Sequence, residues 1–223
     1  MWLASGRRVF VDVDGAGLVP EGPTLRRRPT LVLVRGSEVD HSFFKPWVEP
    51  LTAVAQLVYV DLIGHGRSDG GDHSDWSISA WADSVAEACS IMGVGRPTVL
   101  GSSLGGRIAL AMAIRHPDLV AALIVVNAVL QSDPEHRIEM FRRLGGDEAA
   151  AVARYDLEHR SAESREPYMR VCMPLTVQRP NSPEELARLR PVSPDVMDAL
   201  VEISKATPMA CRTECTRSSA RRS

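Results

Sequence analysis

The sequence predicts an α/β fold built on a mostly parallel sheet, on three observations. Continuous apolar runs at residues 30–34 (TLVLV) and 57–60 (LVYV) have the pattern of buried strands, and 120–126 (VAALIVV) reads as a further strand. Stretches with helical period separate them. Strand, helix, strand then repeats at a spacing that parallel pairing requires, because parallel strands need crossovers and the crossovers cover both faces of the sheet.

Each element has its own signal. Residues 9–13 read as a short strand, followed by a loop rich in glycine and proline through Gly15, Gly17, Pro20, Gly22 and Pro23. A helix is expected over about 43–54, with Pro46 and Pro50 restricting its start. The strand at 57–60 closes on Asp61 and the turn of Gly64 and Gly66. Ser77 or Ser79 caps the next helix, whose apolar positions are Ile78, Trp81, Ala82, Val85, Ala88, Cys89 and Met92 and which ends at Gly93. A short strand at 97–100 leads into the tight segment 101–106, a helix over about 104–115, and the strand at 120–126.

Beyond Asn127 the texture changes to charge-rich amphipathic pieces at 134–144, 147–159 and 183–189, broken by Pro167, Pro174, Pro180, Pro191 and Pro194. The expected organisation is a core over residues 1–132, a helical lid over 133–206, and an Arg- and Ser-rich tail over 207–223. That tail carries four Arg against one Glu and no apolar period, so it is expected to be disordered. Neither a Walker phosphate loop nor a dinucleotide glycine fingerprint follows any strand.

Composition limits the partners. With 44% apolar and 24% charged residues the chain reads as globular, and its net charge of -2 provides no field to draw it onto nucleic acid or an anionic membrane. All but Lys45 and Lys205 of the 26 basic residues are arginine, a skew read as coding bias. No apolar run approaches the roughly 18 residues of a membrane span, and the start MWLASGRRVF lacks the layout of a secretory signal. The expectation is a cytoplasmic protein with a small-molecule or short-peptide substrate and neither nucleic acid nor membrane as partner.

No metal or cofactor is expected. Cys89, Cys172, Cys211 and Cys215 are expected to be reduced, and the spacing of Cys211 and Cys215 is a poor zinc signal. The cluster Asp61, His65, Asp69, Asp72, His73 and Asp75 matches no metallohydrolase spacing and reads as an acidic surface turn.

The sharpest feature is Gly101-Ser102-Ser103-Leu104-Gly105-Gly106, a Gly-x-Ser-x-Gly turn between a strand and a helix. Such a turn holds its serine in a strained backbone, and small residues two positions away on either side let strand and helix approach. It lifts the Ser103 hydroxyl out of the sheet edge and aims the first amides of the helix at an oxyanion formed on attack. Ser103 is the candidate nucleophile and the Leu104 NH one oxyanion donor.

With these residues the chain resembles the α/β-hydrolases, and within them the proline iminopeptidase-like branch. Asp61-Leu62-Ile63-Gly64-His65-Gly66-Arg67-Ser68 is similar to that fold's turn after its fourth strand, about forty residues before the nucleophile. Asp40-His41-Ser42 with Phe44-Lys45-Pro46-Trp47 resembles the segment after the branch's oxyanion loop. The resemblance implies an α/β-hydrolase-like sheet with a helical lid, hydrolysis through an acyl-enzyme without a cofactor, and removal of N-terminal proline from small peptides. It also implies a second oxyanion NH from the loop after the third strand. Here that loop reads Val34-Arg35-Gly36-Ser37-Glu38-Val39, and Gly36 alone is kept from the branch's usual His-Gly-Gly-Pro-Gly.

The larger departure concerns the base. In the resembled fold the acid and histidine follow the nucleophile on loops after two further strands, and here no histidine lies beyond His159. His65 and His73 read as turn residues, His41 as a helix entrance, His116 as a helix end, and His136 and His159 as lid positions. His41 is a stand-in base only if it reaches Ser103; Asp133 is a relocated acid or simply a cap for the helix at Pro134. Two expectations result: a serine hydrolase, or a truncated or frameshifted hydrolase or non-catalytic binding protein on the same scaffold. In the second, the last two core strands are missing and the 120–126 strand is an unpaired apolar edge.

Overall fold

The fold comes from a computed structural model, which describes all residues except 37–38, 129, 131–132, 160, 179–181, 191 and 206–223. The expected tail therefore lies outside the described residues, with Cys211 and Cys215.

The first strand, β1 (Val11–Asp14), is followed by the pair β2 (Leu18–Glu21) and β3 (Thr24–Arg27), an antiparallel hairpin that forms its own two-stranded sheet. Sequence reading gives this stretch as loop. Most of its side chains are exposed, so no apolar alternation marks it, and Gly22 turns the chain at φ 60°.

The main sheet then builds outward from β4 (Thr30–Arg35). The helix expected at 43–54 is instead a 3-10 turn (His41–Phe43), a four-residue α1 (Lys45–Val48) and a second 3-10 turn (Glu49–Ala53), because Pro46 and Pro50 each deny the helix an amide. Then follow β5 (Gln56–Val60), α2 (Ile78–Ile91), β6 (Thr98–Ser102), α3 (Leu104–Arg115) and β7 (Ala122–Val126). Strand order is β1-β5-β4-β6-β7, with β4, β5, β6 and β7 parallel and β1 antiparallel to β5.

The apolar runs of β4 and β5 pack as their composition requires. Val32, Leu33, Val34, Leu57, Val58, Tyr59 and Val60 are buried. On one face Val32, Val34, Val58 and Val60 share a core with Trp81, Val85 and Cys89 of α2 and Ile108 and Met112 of α3; on the other Leu31, Leu33, Leu57 and Tyr59 meet Phe44 and Val48. Ser77 caps α2 by accepting from the Ala80 amide at 3.1 Å, and Trp81 Nε1 donates to the Ile63 carbonyl at 2.9 Å. Burial pushes the Cys89 thiol up to about 12, so it stays neutral. β7 pairs only with β6 among the described residues, and Ile124, Val125 and Val126 remain 40–43% exposed.

A bidentate pair clamps α3 to α2: Arg115 donates to both Asp83 oxygens, at 2.8 and 2.6 Å. These bonds, with His116 in support, hold the Asp83 carboxyl below its usual range. A carboxyl lowered by folding adds stability in full above its unfolded pKa of about 3.9, and loses it as pH falls through the lower folded value. Wild type is therefore expected to exceed Asp83→Asn in stability at pH 5 and to match it near pH 2. The gap should stay under about 1 kcal/mol because Asp83 is well exposed. Urea titrations at the two pH values measure it.

The remaining helices form two groups. Residues 131–187 make a compact unit of their own. Its long helix α4 (Pro134–His159) breaks at Gly146 (φ 74°), where the sequence expects one helix to end and the next to begin. Ser161 and Ser164 form a capping box for α5 (Ala162–Val171), and Phe141, Ala149, Ala153, Tyr168 and Cys172 make the unit's core. After α6 (Pro183–Arg188) comes α7 (Pro194–Lys205), and here the structure departs from the expected single helical region over 133–206. The described residues from Arg188 to Lys205 group with the sheet unit, because α7 spaces Val196, Ala199, Leu200 and Ile203 on one face and buries it in the core shared with Trp76 and Trp81.

Candidate active site

β6 ends at Ser102 and α3 begins at Leu104, leaving Ser103 alone at the junction with φ 56° and ψ -122°. A side-chain-bearing residue in this region is strained, and such strain persists only where the surroundings enforce it. The enforcement is visible. The Ser103 amide donates to the Val126 carbonyl at 2.9 Å, and its carbonyl accepts from the Gly106 amide at 3.0 Å. A Cβ on Gly105 would lie 2.0 Å from the Val34 carbonyl oxygen, and one on Gly101 would lie 2.2 Å from that of Gly105. Glycine at both positions is what lets α3 start against β4 and β6.

Ser103 is half-buried between buried neighbours, and its hydroxyl does not cap α3. The Leu104 amide opens the helix, where an NH has no partner within the helix. Gly36 is brought to the same place: a Cβ there would lie 2.4 Å from that of Leu104 and 2.5 Å from the Gly105 nitrogen. The three residues singled out in sequence, Ser103, Leu104 and Gly36, thus meet at the carboxyl ends of β4 and β6, while Ser37 and Glu38 lie outside the described residues.

Arg35 is a neighbour that sequence reading treats only as a departure in the loop. Strand register sets it opposite Ser102; its Nη1 donates to Ser102 Oγ at 3.0 Å, and its guanidinium stacks 3.9 Å from the Phe43 ring centroid. This ties the residue before Ser103 to the loop that carries Gly36.

His41 is committed elsewhere. It is 3% exposed, its Nδ1 donates to Asp61 Oδ1 at 2.9 Å, and its Nε2 lies 3.6 Å from Asp12 Oδ2. Asp61 also accepts from the backbone amides of His41 and Arg67, at 2.9 and 3.0 Å. Lys45 completes the group, 2.7 Å from Asp12 and 3.1 Å from Asp14. Burial penalises a charged Asp12, yet Lys45 outweighs that and holds its carboxyl below the usual range. Asp61→Asn replaces one acceptor oxygen with a donor facing an NH, and is expected to cost about 2 kcal/mol in urea unfolding.

Asp40, His41 and Asp61 also set three ligand atoms within 4.8 Å of one another, a geometry a metal could use. Asp61 already holds the three donors just given, and Asp40 Oδ1 accepts from the amide and hydroxyl of Ser42. The acidic cluster read in sequence disperses among other partners, with Asp69 on Arg8, Asp72 and Asp75 on Arg7, and His65 edge-on to Trp81. His73 packs on Trp76, His116 meets Asp83, His159 donates to the Tyr155 carbonyl, and Asp133 caps α4 through the His136 amide. None of these contacts is to Ser103.

A parallel sheet with a strained serine between a central strand and its helix defines a class, and the chain belongs to the alpha/beta hydrolase fold family, whose model matches residues 29–165. Its relatives include a putative carbamate hydrolase RutD of Agrobacterium fabrum, 33% identical over 132 residues that cover 56% of this chain and 51% of that protein. The protein of the same name from Serratia proteamaculans is 36% identical over 109 residues, 49% of this chain and 41% of its own. The chain spans about half the length of the curated relatives it matches. An alpha/beta hydrolase fold protein from Burkholderia ambifaria shares the fold with TM-score 0.63 and 21% identity over 96% of this chain and 73% of its own. The enol-lactonase from Burkholderia xenovorans LB400 does so with TM-score 0.58 and 19% identity over 92% of this chain and 73% of its own. No helix among the described residues is long and apolar enough to cross a membrane.

Proposed function

We propose that Ser103 is the nucleophile of a serine hydrolase acting on a small carbonyl substrate. Its strained backbone at the β6–α3 turn is the observation that carries this reading. The Ser103 oxygen would add to the carbonyl carbon while the amides of Leu104 and Gly36 hold the oxyanion. Collapse would expel the leaving group with a proton and leave an acyl-enzyme, which water then cleaves. The names of the relatives favour a carbamate as substrate. The motifs around Asp61 and Asp40 keep an N-terminal prolyl amide as the alternative.

A second reading has its own support. Both ring nitrogens of His41 face carboxylates, and none of the contacts described above for the histidines is to Ser103, so those contacts identify no proton acceptor for it. A non-catalytic binding protein on this scaffold would carry the turn without the base. The two readings part in one experiment: a fluorophosphonate probe, with the adduct mapped by mass spectrometry, and turnover of aryl carbamates, short esters and prolyl amides against Ser103→Ala. Labelling at Ser103 with turnover above that control supports the hydrolase. An unlabelled Ser103 with turnover equal to the control supports the binding protein.

A further inference from the structure

At the opposite end of the sheet from Ser103 lies a cavity of about 620 Å³, where the parallel strands begin. Thr30 opens β4, Gln56 opens β5 and Thr98 opens β6, and all three line it. Ser103 follows the far end of β6, so the two places are separated by about 16 Å of strand. The volume lies within the range of small-molecule sites.

Its charge is one-sided. Arg27, Arg28 and Arg96 line the cavity, and no carboxylate does. Neither Arg27 nor Arg96 forms an ion pair among the described residues. Arg28 donates Nη1 to the Thr52 carbonyl at 2.6 Å, while its Nε is shut from solvent with no hydrogen-bond partner. Elsewhere the chain's arginines find acids, as Arg7, Arg115, Arg142 and Arg154 do. Arg96 also carries φ 45°, a left-handed backbone that a long side chain seldom adopts.

We infer that this cavity is a binding site for a small phosphate-bearing anion, separate from the Ser103 site. Three guanidiniums match the charge of a multivalent anion, whereas a single carboxylate would leave most of that charge unmet. Planar guanidinium forks fit phosphate oxygens in pairs. Thr30, Thr98 and Gln56, which line the same cavity, are residue types that carry neutral donors.

The test is calorimetric titration of the full chain with pyrophosphate, with citrate and sodium chloride at matched ionic strength as the other arms. Arg27→Gln and Arg96→Asn are the variants, asparagine being chosen because it tolerates a left-handed backbone. Saturable pyrophosphate binding is expected, weakened about tenfold or more by either variant. Citrate binding as tightly as pyrophosphate would overturn the phosphate assignment. Absence of saturable binding, or binding unchanged in both variants, would overturn the site. The unaltered chain gives a second measure through phenylglyoxal modification: pyrophosphate should protect Arg27, Arg28 and Arg96 but not the surface residue Arg143, and equal modification with and without it would also overturn the site.

Discussion

Gly105→Ala is expected to destabilise the chain by about 3 kcal/mol or more, the upper end of what forcing extra volume into a packed interior costs. The added carbon would sit 2.0 Å from the Val34 carbonyl oxygen. That oxygen belongs to a central strand hydrogen-bonded on both sides, so it has little room to retreat. Relief would require moving α3 off the sheet and with it Ile108 and Met112, both fully buried. Gly70→Ala is the control: its new carbon would meet nothing within 4 Å, so its stability should stay within about 0.5 kcal/mol of wild type. Urea midpoints for the two variants give the comparison, and similar midpoints would mean the β6–α3 turn is not tightly packed.

Ser103→Gly is expected to remove covalent labelling completely and to make the chain more stable than Ser103→Ala by about 1 kcal/mol. Both variants lose the hydroxyl. Only glycine adopts φ 56° and ψ -122° freely, relieving strain of about 1–3 kcal/mol against an entropic cost of about 0.5–1 kcal/mol for fixing glycine. Alanine keeps the strain and loses the chemistry. Thermal unfolding beside probe labelling reads both effects, and equal stability of the two variants would show that the turn stores no strain.

The parts of this molecule legible in sequence are those whose cause is local. β4 and β5 announce themselves because a strand buried on both faces must be apolar throughout, and α2 because Ser77 and the spacing from Ile78 to Cys89 mark its start and its inner face. The turn at Ser103 is legible for the same reason, since close approach of strand and helix excludes larger residues within a few positions. The β2–β3 hairpin escapes because its exposed residues face no selection for an apolar pattern. α7 escapes because its buried face matches a core laid down more than 70 residues earlier, and Pro191 and Pro194 break the helical pattern beside it. The bond from His41 to Asp61 spans 20 positions and the pairing of Arg35 with Ser102 spans 67, so both depend on strand register that no local window contains.

The amide of Ser103 is fastened to the carbonyl of Val126, the last residue of β7, and β7 has a neighbour on one side only among the described residues. Edge strands open before central ones. Ser103 is therefore anchored from two sides: Gly101 and Gly105 lock the turn against β4 and β6, while its amide is tied to the strand that has one neighbour among the described residues. The position of Ser103 is thus set jointly by three strands, β4, β6 and β7, and a shift in any of them reaches the serine.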